Sequence, residues 1–432
     1  MLRRFALLLL LLVLGLSQAQ AYDLLATAQG RQVVFEALVD VFRQHYWDAD
    51  YLDWDAWANY YRQDALSATS RSAFEGVARR MVYHLDDDHS NWVGLVRYLS
   101  EEQLPPRAEH LGLGFAHDHV AGSGIVLLQV YARTPAERAG LRRGDVIVRV
   151  NGQDVRELAS RTSPSLVFRD AIAAGEVRLG VRRRLSHFNV TVTPAPIAFE
   201  VVKDLPVGYL LDAETGYLFI PTFNAAHVAA EVHRLLAELL EQGMRTLVLD
   251  LRGNLGGRLN ELGLVLGAFI EGPWAEAVSR GSIAWRSSYR IDEQGRGLNI
   301  LKNADGSSLA ELKLGAPARF VGPLVVLVDE QNSSAGEIGP LVLQQLGRAK
   351  VVGEPTRGNV EVVRGFDLPD GSLVMVAVAN VQGVNGTIFD GGVEPDVLAS
   401  ASLQELARGF DAPLAAALRL LREIPFTPGR YF

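Results

Sequence analysis

The sequence predicts an α/β protein: a mainly parallel sheet covered by helices, preceded by a region of short strands and, before that, a helical region. Three observations point there. Residues 197–400 alternate apolar strands with helices, a pattern that buries a parallel sheet on both faces. Residues 109–196 change to short strands separated by glycine, and residues 22–108 carry apolar positions at helical spacing. With residues 1–21 ahead of these and a helical segment at 401–432, the 432-residue chain reads as five parts, in keeping with a domain size of about 150 residues.

Composition narrows the chemistry. Hydrophobic residues at 48% and charged residues at 21% describe a globular chain. The balance of 42 basic against 50 acidic residues, a net charge of −8, argues against nucleic acid as a partner. With no cysteine, thiol nucleophiles, disulfides and zinc–thiolate sites are excluded. Catalysis must then use oxygen or nitrogen side chains. Lysine is scarce, occurring only at Lys203, Lys302, Lys313 and Lys350.

In chain order, Arg3 and Arg4 precede an apolar run from Phe5 to Leu16 and the sequence Ser17-Gln18-Ala19-Gln20-Ala21. This is the pattern of a secretory signal cleaved after Ala21, and it predicts an exported protein, periplasmic or extracellular, with an uncleaved anchor as the alternative. In the helical region, Val33, Val34, Leu38, Val39, Val41 and Phe42 share a helical face, and Ser72 with Glu75 suggests a capping box. Trp47, Trp54, Trp57, Tyr60 and Tyr61 are expected to pack against a partner domain, or alternatively to stack on carbohydrate. The region closes at Asp86-Asp87-Asp88-His89-Ser90.

From residue 197 onward, strands are expected at 217–223, 246–251, 324–329 and 349–354 and helices at 225–242, 259–270 and 335–346, with an irregular stretch at 271–320. Asp370-Gly371 turns a hairpin. Three loops follow strands, where open α/β sheets bind ligands. Asp250-Leu251-Arg252-Gly253-Asn254-Leu255-Gly256-Gly257 offers bare backbone N–H groups for an oxyanion hole. Asn332-Ser333-Ser334-Ala335-Gly336-Glu337 sets a serine at a helix N-terminus, as a nucleophile or as an N-cap. Gly353 to Asn359 forms the third.

Residues 109–196 resemble a PDZ domain through Leu111-Gly112-Leu113-Gly114-Phe115, the Ala136-x-x-Ala139-Gly140-Leu141-x-x-Gly144-Asp145-x-Ile147 order and the Asn151-Gly152 turn. The loop at Leu113, Gly114 and Phe115 is where such a domain captures a peptide carboxylate. PDZ followed by Asp-Leu-Arg-Gly-Asn-x-Gly-Gly, Ser-Ser-Ala-Gly-Glu-Ile, Val-Val-Gly-Glu-Pro-Thr and Gly-Gly-Val-Glu-Pro-Asp (391–396) resembles the C-terminal processing, or tail-specific, serine peptidases over residues 30 to 400. The resemblance implies a crotonase-like core, Ser334 as nucleophile, an oxyanion hole from the Ser334 N–H with Gly256 or Gly257, and polypeptides recognised near their carboxyl terminus as substrates.

One position departs. The family's lysine base falls on Asn359, which cannot accept a proton at neutral pH, and the glutamine that follows falls on Val363. Two readings follow. In one, His89 is the base, as in a tricorn-like branch, oriented by Asp88, Glu361 or Asp390; a structural histidine is its counterpart. In the other, the chain is an inactive relative that binds peptides. His117 and His119 alternate in a strand without a third ligand, so no metal and no cofactor is expected. Self-association stays open.

Overall fold

The computed structural model describes residues 23–87, 89–96, 108–158, 162–313, 318–387, 389 and 391–424. The expected leader at 1–21, Asp88 and Asp390 lie outside them. The chain forms two compact units: one takes the chain to residue 98 with 279–284 and 361–380, the other comprises 99–278, 285–360 and 381–432.

The first unit is built on helices Ala28–His45, Trp54–Leu66 and Arg71–Tyr83. Phe42 is its hub. The Trp57 ring meets Phe42 edge-on at 5.6 Å, and Trp54 meets Trp57 at 90°. The indole N–H groups of Trp54 and Trp57 donate to Ala49 O and Met81 O, so both rings are buried with their polar atoms satisfied. The expected packing against a partner domain is thus corrected: Trp54, Trp57 and Tyr61 fill the unit's own core, Trp47 is half-buried beneath the Arg280 guanidinium, and Tyr60 is exposed.

The capping box moves too. The third helix starts at Arg71, and Ser70, in extended backbone, accepts from Ala73 N–H at 3.1 Å; Ser72 lies inside the helix. Ser70→Ala should cost about 1 kcal/mol in urea unfolding, and Ser72→Ala almost nothing.

The hairpin formed by Val362–Asp367 and Ser372–Gln382 turns at Gly371 (φ 80°) as the Asp-Gly pair predicts. Its residues 362–380 join the helices rather than the parallel sheet. Arg71 bonds Asp370 at 2.8 Å, His45 stacks on Phe366, and the strand Asn91–Leu95 pairs with Ser372–Met375.

The second unit contains two main sheets. One, in the order Phe115–Val120, Gly124–Val130, Val146–Val150, Val177–Arg183 and Ser186–Val192, encloses a core of Ile125, Leu127, Ile147, Leu179 and Phe168. The other runs Val207–Leu210, Thr215–Phe219, Thr246–Asp250, Leu324–Val328, Lys350–Gly353 and Val397–Leu398, and every pairing after the first is parallel. Leu324–Val328 is buried at all five positions, as a strand covered on both faces must be.

The stretch expected to be irregular holds strands Gly272–Ser279, Trp285–Ile291, Gly297–Asn303 and Ser308–Lys313. The hairpin signals were Asp292 to Gly295 and Asn303 to Gly306. Asp292 Oδ1 accepts from the N–H groups of Gln294 and Arg296, and Gly295 and Gly306 take φ of 76° and 82°. Polar residues such as Arg286, Ser287 and Ser288 masked the strand pattern.

Candidate active site

The three loops expected to carry chemistry all belong to the second unit and interlock around Ser334. Asn332 ties the serine loop to the glycine loop: its Nδ2 donates to Leu251 O (2.7 Å) and to Gly336 O (3.2 Å), and its Oδ1 accepts from Asp329 N–H (2.7 Å). The bond to Gly336 has a local cause. Pro340 lies four residues on and has no N–H to give that carbonyl, so the buried amide supplies the missing donor.

Asn254 plays the matching part from the other side. Its Nδ2 donates to Ile220 O and its Oδ1 accepts from Gly256 N–H at 2.8 Å. The loops approach so closely that a Cβ on Gly336 would lie 2.2 Å from Asn254 O, and one on Gly256 would lie 2.7 Å from Ser334 Cβ.

Ser334 itself adopts φ 54°, ψ −129°. The N-cap serines of this chain, Ser70, Ser163 and Ser402, all have negative φ and ψ near 160°. A residue with a Cβ held at positive φ in this way stores about 1–3 kcal/mol of strain, and such turns present a nucleophile between strand and helix. Ser334 is also the one residue of Asn332–Pro340 that keeps intermediate exposure, while Ser333 is buried. It stands at the positive end of the 11-residue helix Ala335–Gln345.

Glu337, fully buried, fastens the third loop to the serine. Its Oε2 accepts from Thr356 Oγ1 (2.5 Å) and Gly358 N–H (2.8 Å), and its Oε1 from Asn359 N–H (2.7 Å) and Ser334 N–H (3.1 Å). Asn359 is thereby drawn up to the serine. Its carbonyl accepts from Ser334 N–H at 2.7 Å, while its side-chain Oδ1 is buried without a partner.

This geometry modifies the expected oxyanion hole. The Ser334 N–H is engaged by Asn359 O, and the Gly256 N–H by Asn254 Oδ1. The Gly257 N–H has no partner among the described residues, and Gly257, at φ 137°, is held by a bridge to Phe223.

Beneath the glycine loop lies a closed charge network. Arg252 grips Asp250 and Asp411, and Tyr217 Oη donates to Asp250 Oδ2 at 2.6 Å. Burial pushes the Asp250 carboxyl up, but the Arg252 charge and its hydrogen bonds prevail and hold it below the usual range. These groups are matched to one another and support the loop.

His89 lies in the first unit. Its Nδ1 is 2.7 Å from Glu361 Oε2, with both side chains largely buried. Of the three acids proposed to orient it, Glu361 is the described partner. Asp87 takes the N–H groups of His89 and Ser90 and fixes the turn.

Leu113, Gly114 and Phe115 border a groove of about 250 Å3 with Phe168 and Ile172 opposite. The strand Phe115–Val120 is the edge of its sheet, so its outer side can pair with an extended peptide. The His117 ring packs against Phe115 and Phe168, and burial lowers its pKa; His119 Nε2 meets Val155 O. Among the described residues no three His, Cys, Asp or Glu side chains converge as a metal site.

Residues 214–399 match the model of peptidase family S41, and residues 126–183 match that of the PDZ domain. The chain carries a PDZ domain and an S41 peptidase domain. It is 31% identical over 298 residues to a chloroplastic C-terminal processing peptidase of Tetradesmus obliquus, covering 66% of this chain and 59% of that protein. With a carboxy-terminal processing protease of Bacillus subtilis (strain 168) it is 25% identical over 334 residues, covering 75% and 63%. The chain thus spans about six tenths of the length of these relatives.

A putative S41 protease from Bacteroides fragilis NCTC 9343 shares the fold, with a TM-score of 0.52 at 18% identity, over 90% of this chain and 97% of that one. Within the S41 domain, Asn254 and Asn332 form one bonded pair, and Ser334, Glu337 and Asn359 form a bonded group beside it. Asn254, Asn332 and Glu337 lie within the motif loops, but their spacing in the sequence assigns them no role. Pro340 within a helical stretch was the available signal for Asn332.

Proposed function

We propose that the protein is an exported serine-type endopeptidase that hydrolyses polypeptides held near their carboxyl terminus by the PDZ domain. The strained backbone of Ser334 at the helix N-terminus carries this reading. Ser334 Oγ attacks the peptide carbonyl carbon, and His89 Nε2 takes the hydroxyl proton and returns it to the leaving amine. With Glu361 accepting from Nδ1–H, the neutral ring turns its Nε2 lone pair to the role of base. Gly257 N–H supplies one oxyanion donor. The Ser334 N–H supplies the other once a substrate carbonyl displaces that of Asn359 and shares the donor with Glu337 Oε1.

Export rests on the leader pattern at 1–21. Among the described residues no helix is long and apolar enough to cross a membrane.

A second reading, a peptide-binding protein without hydrolysis, is favoured by Asn359 at the family's lysine position and by its carbonyl on the Ser334 N–H. Digestion of an unfolded protein with an apolar free carboxyl terminus separates the two. Cleavage should fall at least about a hundredfold in His89→Ala and about tenfold in Glu361→Gln. Full activity in His89→Ala would remove it as base. No cleavage by the parent chain, with cleavage by Asn359→Lys, would establish a disarmed site.

A further inference from the structure

We infer that the cavity between the PDZ domain and the S41 sheet is a receptor for a small apolar monocarboxylate. The cavity, of about 360 Å3, falls within the size range of ligand sites. Its apolar walls are Leu128, Val130 and Leu141 on the PDZ side and Val207, Tyr217 and Phe219 on the other. This site is separate from the groove at Leu113 to Phe115, and the inference holds whether or not Ser334 is a nucleophile.

Its polar lining is biased toward donors. The Arg142 guanidinium lies 4.4 Å over the Tyr209 ring and forms no ion pair among the described residues. Arg143 Nη1 donates to Leu128 O, but its Nε–H is buried without an acceptor, as is the side-chain amide nitrogen of Gln129. The carboxylate in the lining, Glu137, already accepts from Arg133 N–H at 2.5 Å, and burial pushes its carboxyl pKa up.

Arg183 holds Asp145 through two nitrogens, and Arg252 holds Asp250 and Asp411. Burial lowers the pKa of Arg142, whereas hydrogen bonding to Asp145 raises that of Arg183. Two buried donors without acceptors, beside a guanidinium that has no ion pair among the described residues, are completed by a group that only accepts, and apolar walls favour a single charge with an apolar body over a dianion.

Calorimetric titration of the full chain with sodium octanoate, octanamide and inorganic phosphate tests this. Octanoate should bind at least about tenfold more tightly than octanamide, and Arg142→Gln should weaken octanoate at least about tenfold. Phosphate should not compete. Equal binding of acid and amide, displacement by phosphate, or an unchanged Arg142→Gln would overturn the assignment.

A measurement on the parent chain does not depend on the folding of the variant. In crystals soaked with 8-bromooctanoate, the bromine anomalous peak should lie among Leu128, Tyr209 and Phe219. A peak only beside Phe168, in the PDZ groove, would sink the inference.

Discussion

Ser334→Ala should reduce peptide hydrolysis by about ten-thousandfold or more while leaving the fold intact. The stability of the variants then distinguishes a nucleophile from a cap. An ordinary N-cap serine stabilises its helix by about 1 kcal/mol, so alanine would destabilise the protein by that amount and glycine by a few tenths. At φ 54° and ψ −129° the backbone itself is the cost, and a glycine relieves it. Ser334→Gly should therefore be inactive yet at least as stable as the parent, with a gain of about 1 kcal/mol in urea unfolding. An active Ser334→Ala would end the peptidase reading. A Ser334→Gly clearly less stable than the parent would return Ser334 to a capping role.

What could be read from the sequence divides along physical lines. Local signals survived: glycines next to loop-forming residues, the apolar strand runs 246–250 and 324–328, and the Asp370-Gly371 turn all report backbone conformation within a few residues. Contacts across the chain were hidden. Glu361 lies 272 positions from His89, and nothing in the spacing ranked it above Asp88 or Asp390. Asp370 meets Arg71 across 299 positions, which draws a hairpin to the N-terminal helices although its sequence neighbours belong to the parallel sheet.

The strands between 272 and 313 failed for a different reason. Ser287 is buried at an inward position of its strand and bonds Asn299, so polar side chains interrupt the apolar face, the period-two alternation is diluted, and only the glycines of the turns remain visible. The oxyanion donors show a third limit. A glycine-rich loop announces that N–H groups can approach a ligand, but not which of them the fold already uses. Gly256 gives its N–H to Asn254, and that depends on an asparagine side chain choosing one backbone partner among several.

Glu337→Gln is the substitution expected to damage the protein most without touching the nucleophile's side chain. The buried carboxylate accepts four hydrogen bonds, two on each oxygen. A glutamine has the same shape but one accepting oxygen, and its amide hydrogens would face donors that have nowhere else to turn. If the amide nitrogen takes the place of Oε2, Thr356 Oγ1 can rotate its hydrogen away, but Gly358 N–H cannot. If it takes the place of Oε1, the N–H groups of both Asn359 and Ser334 are opposed. The first orientation is cheaper, and one blocked buried N–H with one lost charge-assisted bond costs about 2–4 kcal/mol. Urea unfolding should show that loss, and hydrogen exchange should speed up at Gly358 and Asn359. Hydrolysis should fall as well, because the serine turn and the loop beside it no longer share an anchor. Thr356→Val leaves the carboxylate three donors but also strands the buried Val393 N–H, which donates to Thr356 Oγ1 at 2.8 Å, so it should cost about 2–3 kcal/mol and spare most of the activity. Unchanged stability and exchange in Glu337→Gln would mean that the loop at 354–359 is held by other contacts, and the clamp on the Ser334 amide would then have to be explained without Glu337.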